Sequence, residues 1–232
     1  MLSIPFIGAP DRTVGTPALN VTVQGSIDNG NLGSTFLMNE KQEARKKAIQ
    51  TRKKLPREDQ EISSTRIKEI WDSVKGRFNL KSVGFYWPAK GEVSSLPIIE
   101  ELLREGSRCF LPIVSENPKE RRLTFKEYTA NTQLEANRFN ISEPKDGQEI
   151  SANKLDLVFL PSVCVDGAGH RIGMGMGFYD KTFKEPSDQQ HLITLVYDFQ
   201  KISSCYPEGQ DVPMDGAITP SGFFSFYSKK AE

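Results

Sequence analysis

The sequence predicts an α/β protein, a three-layer α/β/α sandwich built on a mostly parallel sheet. Three observations lead there. Four short apolar runs, SVGFYW (82–87), RCFLPIV (108–114), LDLVFLP (155–161) and HLITLVY (191–197), lack the alternation of a half-exposed strand, so both faces of each need cover. Helical patterns precede and separate these runs, as crossovers between parallel strands require. The 232 residues suffice for a substantial core and exclude a miniprotein held by staples.

Residues 1–38 carry Gly, Pro, Asn and Thr at short intervals and only Arg12 as a basic residue, and they are expected to form an irregular extension. Residues 39–232 are expected to form one domain. EKQEARKKAIQTRKKL, from Glu40, is rich in helix formers with few apolar positions. Pro56, at an expected first helical position, opens a second helix whose Ile62, Ile67, Ile70, Trp71 and Val74 fall near helical spacing. After the first strand comes a helix over about 94–105, ended by Gly106. RLTFKEYT (122–129) alternates and reads as a half-exposed strand, NPKERR (117–122) as a solvated turn, and a further helix starts near Phe178.

Thirty Lys and Arg balance thirty Asp and Glu, so no global field collects nucleic acid or an anionic membrane, and neither is an expected partner. Cys109, Cys164 and Cys205 are an odd set without CxxC spacing. That argues against a disulfide framework and a cysteine zinc site, and points to a reducing, cytoplasmic setting. No stretch reaches the roughly 18 apolar residues that a spanning helix needs. His170 and His191 are the only histidines, outside any HExxH pattern, and no GxSxG elbow motivates a serine nucleophile.

The most informative stretch is GAGHRIGMGMGFYD (167–180), in which Gly173, Gly175 and Gly177 alternate directly before a helix start. Such glycines let backbone N–H groups converge on one concavity, which suits phosphate, and Arg171 adds charge. A tight glycine turn without a ligand is the alternative. Asp180 and Asp211 offer separate carboxylates that could hold Mg²⁺ beside phosphate oxygens, or serve as ordinary cap and turn residues.

RIGMGMGFYDK closely resembles the signature of the 5-formyltetrahydrofolate cyclo-ligase (methenyltetrahydrofolate synthetase) family, approximately R-[LI]-G-x-G-x-G-[FY]-Y-D. The resemblance runs over about 41–220 through KQEAR, YWPAKGEV, FLPIV, LTFKEY, ISEP and DVPMDGAIT, with Met176 departing from the Lys or Gly common at its place. It implies a Rossmann-like sheet and conversion of 5-formyltetrahydrofolate to 5,10-methenyltetrahydrofolate, with ATP as co-substrate and Mg²⁺ as cofactor. By match to the family's motifs, Lys41 and Arg45 contact the ATP phosphates, although a basic run containing Lys46, Lys47, Arg52, Lys53 and Lys54 otherwise reads as a solvated face. Arg171, Ile172, Gly173, Met174, Gly175, Met176, Gly177, Phe178 and Tyr179 match the ATP-binding loop, with Arg171 and Tyr179 as candidate catalytic residues. Asp180 and Asp211 match the metal ligands, and Trp87 and Glu92 the folate site. A pterin presents adjacent N–H donors that one carboxylate accepts in parallel. A monomer is expected. The rival readings are a non-catalytic folate or nucleotide binder and a sugar-phosphate isomerase-like relative of the same fold.

Overall fold

The computed structural model describes residues 29–226. Helix α1 spans Asn29–Lys54 and α2 Arg57–Val74; β1 (Ser82–Gly84), α3 (Leu96–Arg104), β2 (Arg108–Val114) and β3 (Leu123–Tyr128) follow. Then come the short strands β4 (Leu134–Ala136), β5 (Ser142–Pro144) and β6 (Glu149–Ile150), the central β7 (Leu157–Leu160), the ribbon β8 (Cys164–Val165) and β9 (Arg171–Ile172), and α4 (Phe178–Thr182). The chain closes with β10 (His191–Leu195), β11 (Gly216–Thr219) and β12 (Gly222–Ser225). Among the described residues no helix is long and apolar enough to cross a membrane.

The main sheet has the order β12-β11-β10-β7-β1-β2-β3-β6. Its five inner strands, from β11 to β2, are parallel, and β12, β3 and β6 add antiparallel edges. Strand β7 shows why the apolar runs lack alternation: Leu157 and Phe159 join the core under α2 and α3, while Val158 and Leu160 join the core on the opposite face. The first core centres on Trp71, whose ring meets Phe159 edge-on and stacks on Phe78. The second is thinner, closed by the five-residue α4 and the loop carrying Val212 and Met214.

Three local differences from the sequence reading have physical causes. Helix α1 begins at Asn29, so Asn29–Met38 are helical rather than part of an irregular extension; once KQEARKK pays for nucleation, upstream residues of poor propensity add at low cost. Residues 1–28 lie outside the described residues. Pro56 sits one place before α2, as its N-cap. Ile62 is 60% exposed, because the buried face of α2 runs through Ser64, Ile67, Trp71 and Val74.

Candidate active site

Strand β1 leads on to β2 on one side while its neighbour β7 leads on to β10 on the other, so the connections leave the β1–β7 pair in opposite directions. Such a switch point opens a crevice outside the carboxyl ends of the strands. A cavity of about 550 Å³ lies there. Its walls include Tyr86, Trp87 and Glu92 after β1, Pro112 and Val114 at the end of β2, and Pro161, Ser162 and Val163 after β7. Helix α1 and the glycine loop close it.

The inward face of α1 is cationic. Lys41, Arg45, Ala48 and Arg52 follow one another at steps of four, three and four residues, which stacks them on one side of a helix. Lys41, Ala48 and Arg52 are buried, so this stripe is not the solvated face that its composition suggested. Lys41 Nζ lies 2.6 Å from Asp211 Oδ2 and 3.2 Å from Glu208 Oε1. Arg45 Nε donates to the Gly173 carbonyl at 2.8 Å, tying the loop to the helix.

The loop turns through left-handed backbone at Gly175 (φ 86°) and Gly177 (φ 70°), a region costly for residues with a Cβ. Gly177 is the N-cap of α4. Arg171, at the root of the loop, donates from Nη2 to Asp180 Oδ1 at 2.7 Å, and its guanidinium lies 5.8 Å from the Tyr179 ring centroid. Among the described residues its Nε has no hydrogen-bond partner. Burial pushes the Tyr179 phenol well up, so it stays protonated at neutral pH and can donate a hydrogen bond.

Asp180 and Asp211 both line the cavity, and Val212 N, next to Asp211 in the chain, donates to Asp180 Oδ1 at 3.4 Å. Within the described residues Asp180 Oδ2 and Asp211 Oδ1 accept no hydrogen bond, while the second oxygen of each carboxylate is engaged. The described residues contain no cluster of three or more metal-ligating side chains. Two carboxylates of this kind fit Mg²⁺, which completes its shell from phosphate and water oxygens.

Across the cavity, Trp87 packs edge-on against Tyr128, with centroids 5.9 Å apart. The Glu92 side chain is 14% exposed. Its Oε2 accepts from Ala89 N at 3.1 Å, and its Oε1 lies 3.7 Å from Arg52 Nη1. Burial raises its carboxyl, with Arg52 opposing.

The sequence-predicted residues therefore line one cavity, with one exception. Ile172 is fully buried in the small cluster with Ala48, Val163, Cys164 and Cys205 and is not part of the cavity wall. Strand alternation on β9 sends it away from the side of Arg171. Glu208, Ser162, and Asn137, Phe139 and Ile141 of the β4–β5 connection also line the cavity and were not anticipated. Arg52 was missed as well, although its helical step from Lys41, Arg45 and Ala48 was a readable signal.

The chain is similar to proteins of one known family. The family model described as "5-formyltetrahydrofolate cyclo-ligase family" matches residues 37–220. A 5-formyltetrahydrofolate cyclo-ligase of Haemophilus influenzae is 32% identical over 137 residues, covering 58% of this chain and 73% of its own. One of Escherichia coli is 34% identical over 146 residues, covering 60% and 78%. The solved structure of Aquifex aeolicus 5,10-methenyltetrahydrofolate synthetase superposes with a TM-score of 0.71 at 26% identity, over 83% of this chain and 95% of that one. The Mycoplasma pneumoniae 5,10-methenyltetrahydrofolate synthetase, at 22% identity and a TM-score of 0.64 over 78% and 98%, shares the fold.

Proposed function

The chain belongs to the 5-formyltetrahydrofolate cyclo-ligase family, and from that premise we propose that it is a ligase converting 5-formyltetrahydrofolate to 5,10-methenyltetrahydrofolate with ATP and Mg²⁺. The observation that carries this reading is the meeting of a cationic helix face, a glycine loop, two carboxylates and Glu92 around one cavity. A formamide oxygen is a poor leaving group, so its departure needs activation. The γ-phosphoryl group passes to that oxygen as its bond to ADP breaks. Nitrogen 10 of the folate then attacks the activated carbon, the carbon–oxygen bond breaks, phosphate leaves and the nitrogen loses its proton.

The side chains divide this work. Lys41 gives up its carboxylate partners for phosphate oxygens, and Arg45 and the loop amides cradle the same groups. Asp180 and Asp211 would hold Mg²⁺, which supplies charge neutralisation on the transferring group. Arg171 anchors Asp180 and faces the developing negative charge. Tyr179, protonated, closes the pocket between the two substrates. Glu92 accepts pterin N–H donors, and Trp87 supplies an apolar wall. The three cysteines are free and buried, which accords with a reducing, cytoplasmic setting.

The test mixes purified protein with 5-formyltetrahydrofolate, ATP and MgCl₂ and follows the near-ultraviolet absorption of the methenyl product. Product is expected only with all three present. Equal product without ATP overturns the proposal.

A further inference from the structure

Arg52 carries its guanidinium into the interior, where the residue is 2% exposed. Among the described residues its Nε and Nη1 have no hydrogen-bond partner, and its ion pair is with Glu92. A buried guanidinium so sparsely satisfied is costly, and a residue needed only for packing would be apolar. The chain above it is shaped to bring Glu92 close. Lys90 (φ 52°) and Gly91 (φ 76°) both adopt left-handed backbone. A Cβ at Gly91 would sit 3.4 Å from the Arg52 carbonyl oxygen, so the turn lies directly on the end of α1. Two phenols clamp it from below: Tyr197 donates to the Gly91 carbonyl at 3.1 Å, and Tyr86 to that of Val93 at 2.7 Å.

We infer that Arg52 is a positioning residue that pairs with Glu92 and holds it aimed into the cavity, selecting a ligand with paired N–H donors on a flat ring. The inference rests on the folate-site reading and deepens it. The groups facing Glu92 are Arg52 from α1, Lys90 from its own turn, and the phenols of Tyr86, Tyr179 and Tyr197. Burial pushes the Glu92 carboxyl up, and among its neighbours Arg52 pulls it down most. A ligand N–H needs the carboxylate form, so folate affinity falls as pH drops through the Glu92 pKa. Without Arg52 that midpoint moves to higher pH.

The experiment uses the full chain and the variants R52M, R52K, E92Q and R52M/E92Q. Binding of 5-formyltetrahydrofolate without ATP is followed from pH 5 to 8, and Mg-ATP binding at pH 7. R52M should move the acid midpoint of folate binding upward by about 1–3 pH units, the range over which a neighbouring cation shifts a carboxylate. At neutral pH it should weaken folate about tenfold while ATP binding holds. R52K should return the midpoint toward the parent. The double variant should bind folate no worse than E92Q, because Arg52 acts through that carboxylate. Where R52M fails to fold, R52K and the double variant, which removes both buried charges, carry the test. Parent-like folate binding and midpoint in R52M, or a double variant markedly weaker than E92Q, overturns the inference alone. Parent-like folate binding in E92Q overturns the folate-site reading, and the inference falls with it.

Discussion

Asp180→Asn tests whether this carboxylate anchors the loop as well as serving a metal. The Arg171 side chain is 3% exposed, and its Nη2 contact to Asp180 Oδ1 is 2.7 Å. Breaking a buried ion pair by removing one partner costs about 3–5 kcal/mol, because the remaining charge stays desolvated. Asparagine keeps one accepting oxygen, and the Asp180 side chain is 22% exposed, so the expected loss is about 2–3 kcal/mol. At about 2–4 °C per kcal/mol for a domain of this size, the melting temperature should fall by about 4–12 °C. Thermal unfolding followed by circular dichroism at neutral pH, without ligands, reads this directly. A variant melting within about 1 °C of the parent refutes the anchoring argument. Turnover should fall by about tenfold or more, since the loop that holds phosphate loses its fixed root.

Lys41→Ala should raise the KM for ATP more than that for folate, and Asp211→Asn should weaken the response to Mg²⁺; a Lys41→Ala effect chiefly on folate KM would reverse the assignment of sites. Removing residues 1–28 should leave both KM values intact, whereas removing 1–38 cuts into α1 ahead of Lys41 and should raise the KM for ATP; identical kinetics for the two truncations would count against α1 as the holder of the phosphate side. Burial alone would push the Glu101 carboxyl up, but Lys68 and Lys75 reverse this and hold it at about 2, against an ordinary 4.5. Its contribution to stability is therefore complete above about pH 4.5 and lost as pH falls toward 2. E101Q should melt below the parent at pH 7, with the gap closing in acid; a gap independent of pH would exclude this linkage.

What the sequence determined by itself was local backbone and the chemistry on offer. RCFLPIV became β2 over the same residues, 108–114, because a run without charge from Cys109 to Val114, its Cys109, Phe110 and Leu111 buried, has one economical place, inside a sheet covered on both faces. The glycines at 173, 175 and 177 and the helix after them were equally legible, since the left-handed backbone at Gly175 and Gly177 leaves its mark in composition. GAIT (216–219), a buried parallel strand, was not, because four residues opening on glycine carry too little pattern to separate from a loop. The order of strands and the burial of charge belonged to tertiary structure. The basic run on α1 reads as a solvated face until the glycine loop and the turn at Lys90–Gly91 are laid against it. Lys41 meets Asp211 across 170 positions, and Arg52 meets Glu92 across a connection that includes the whole of α2. Whether a lysine or arginine is a surface charge or part of a site depends on how much water its surroundings remove, and those surroundings come from distant parts of the chain.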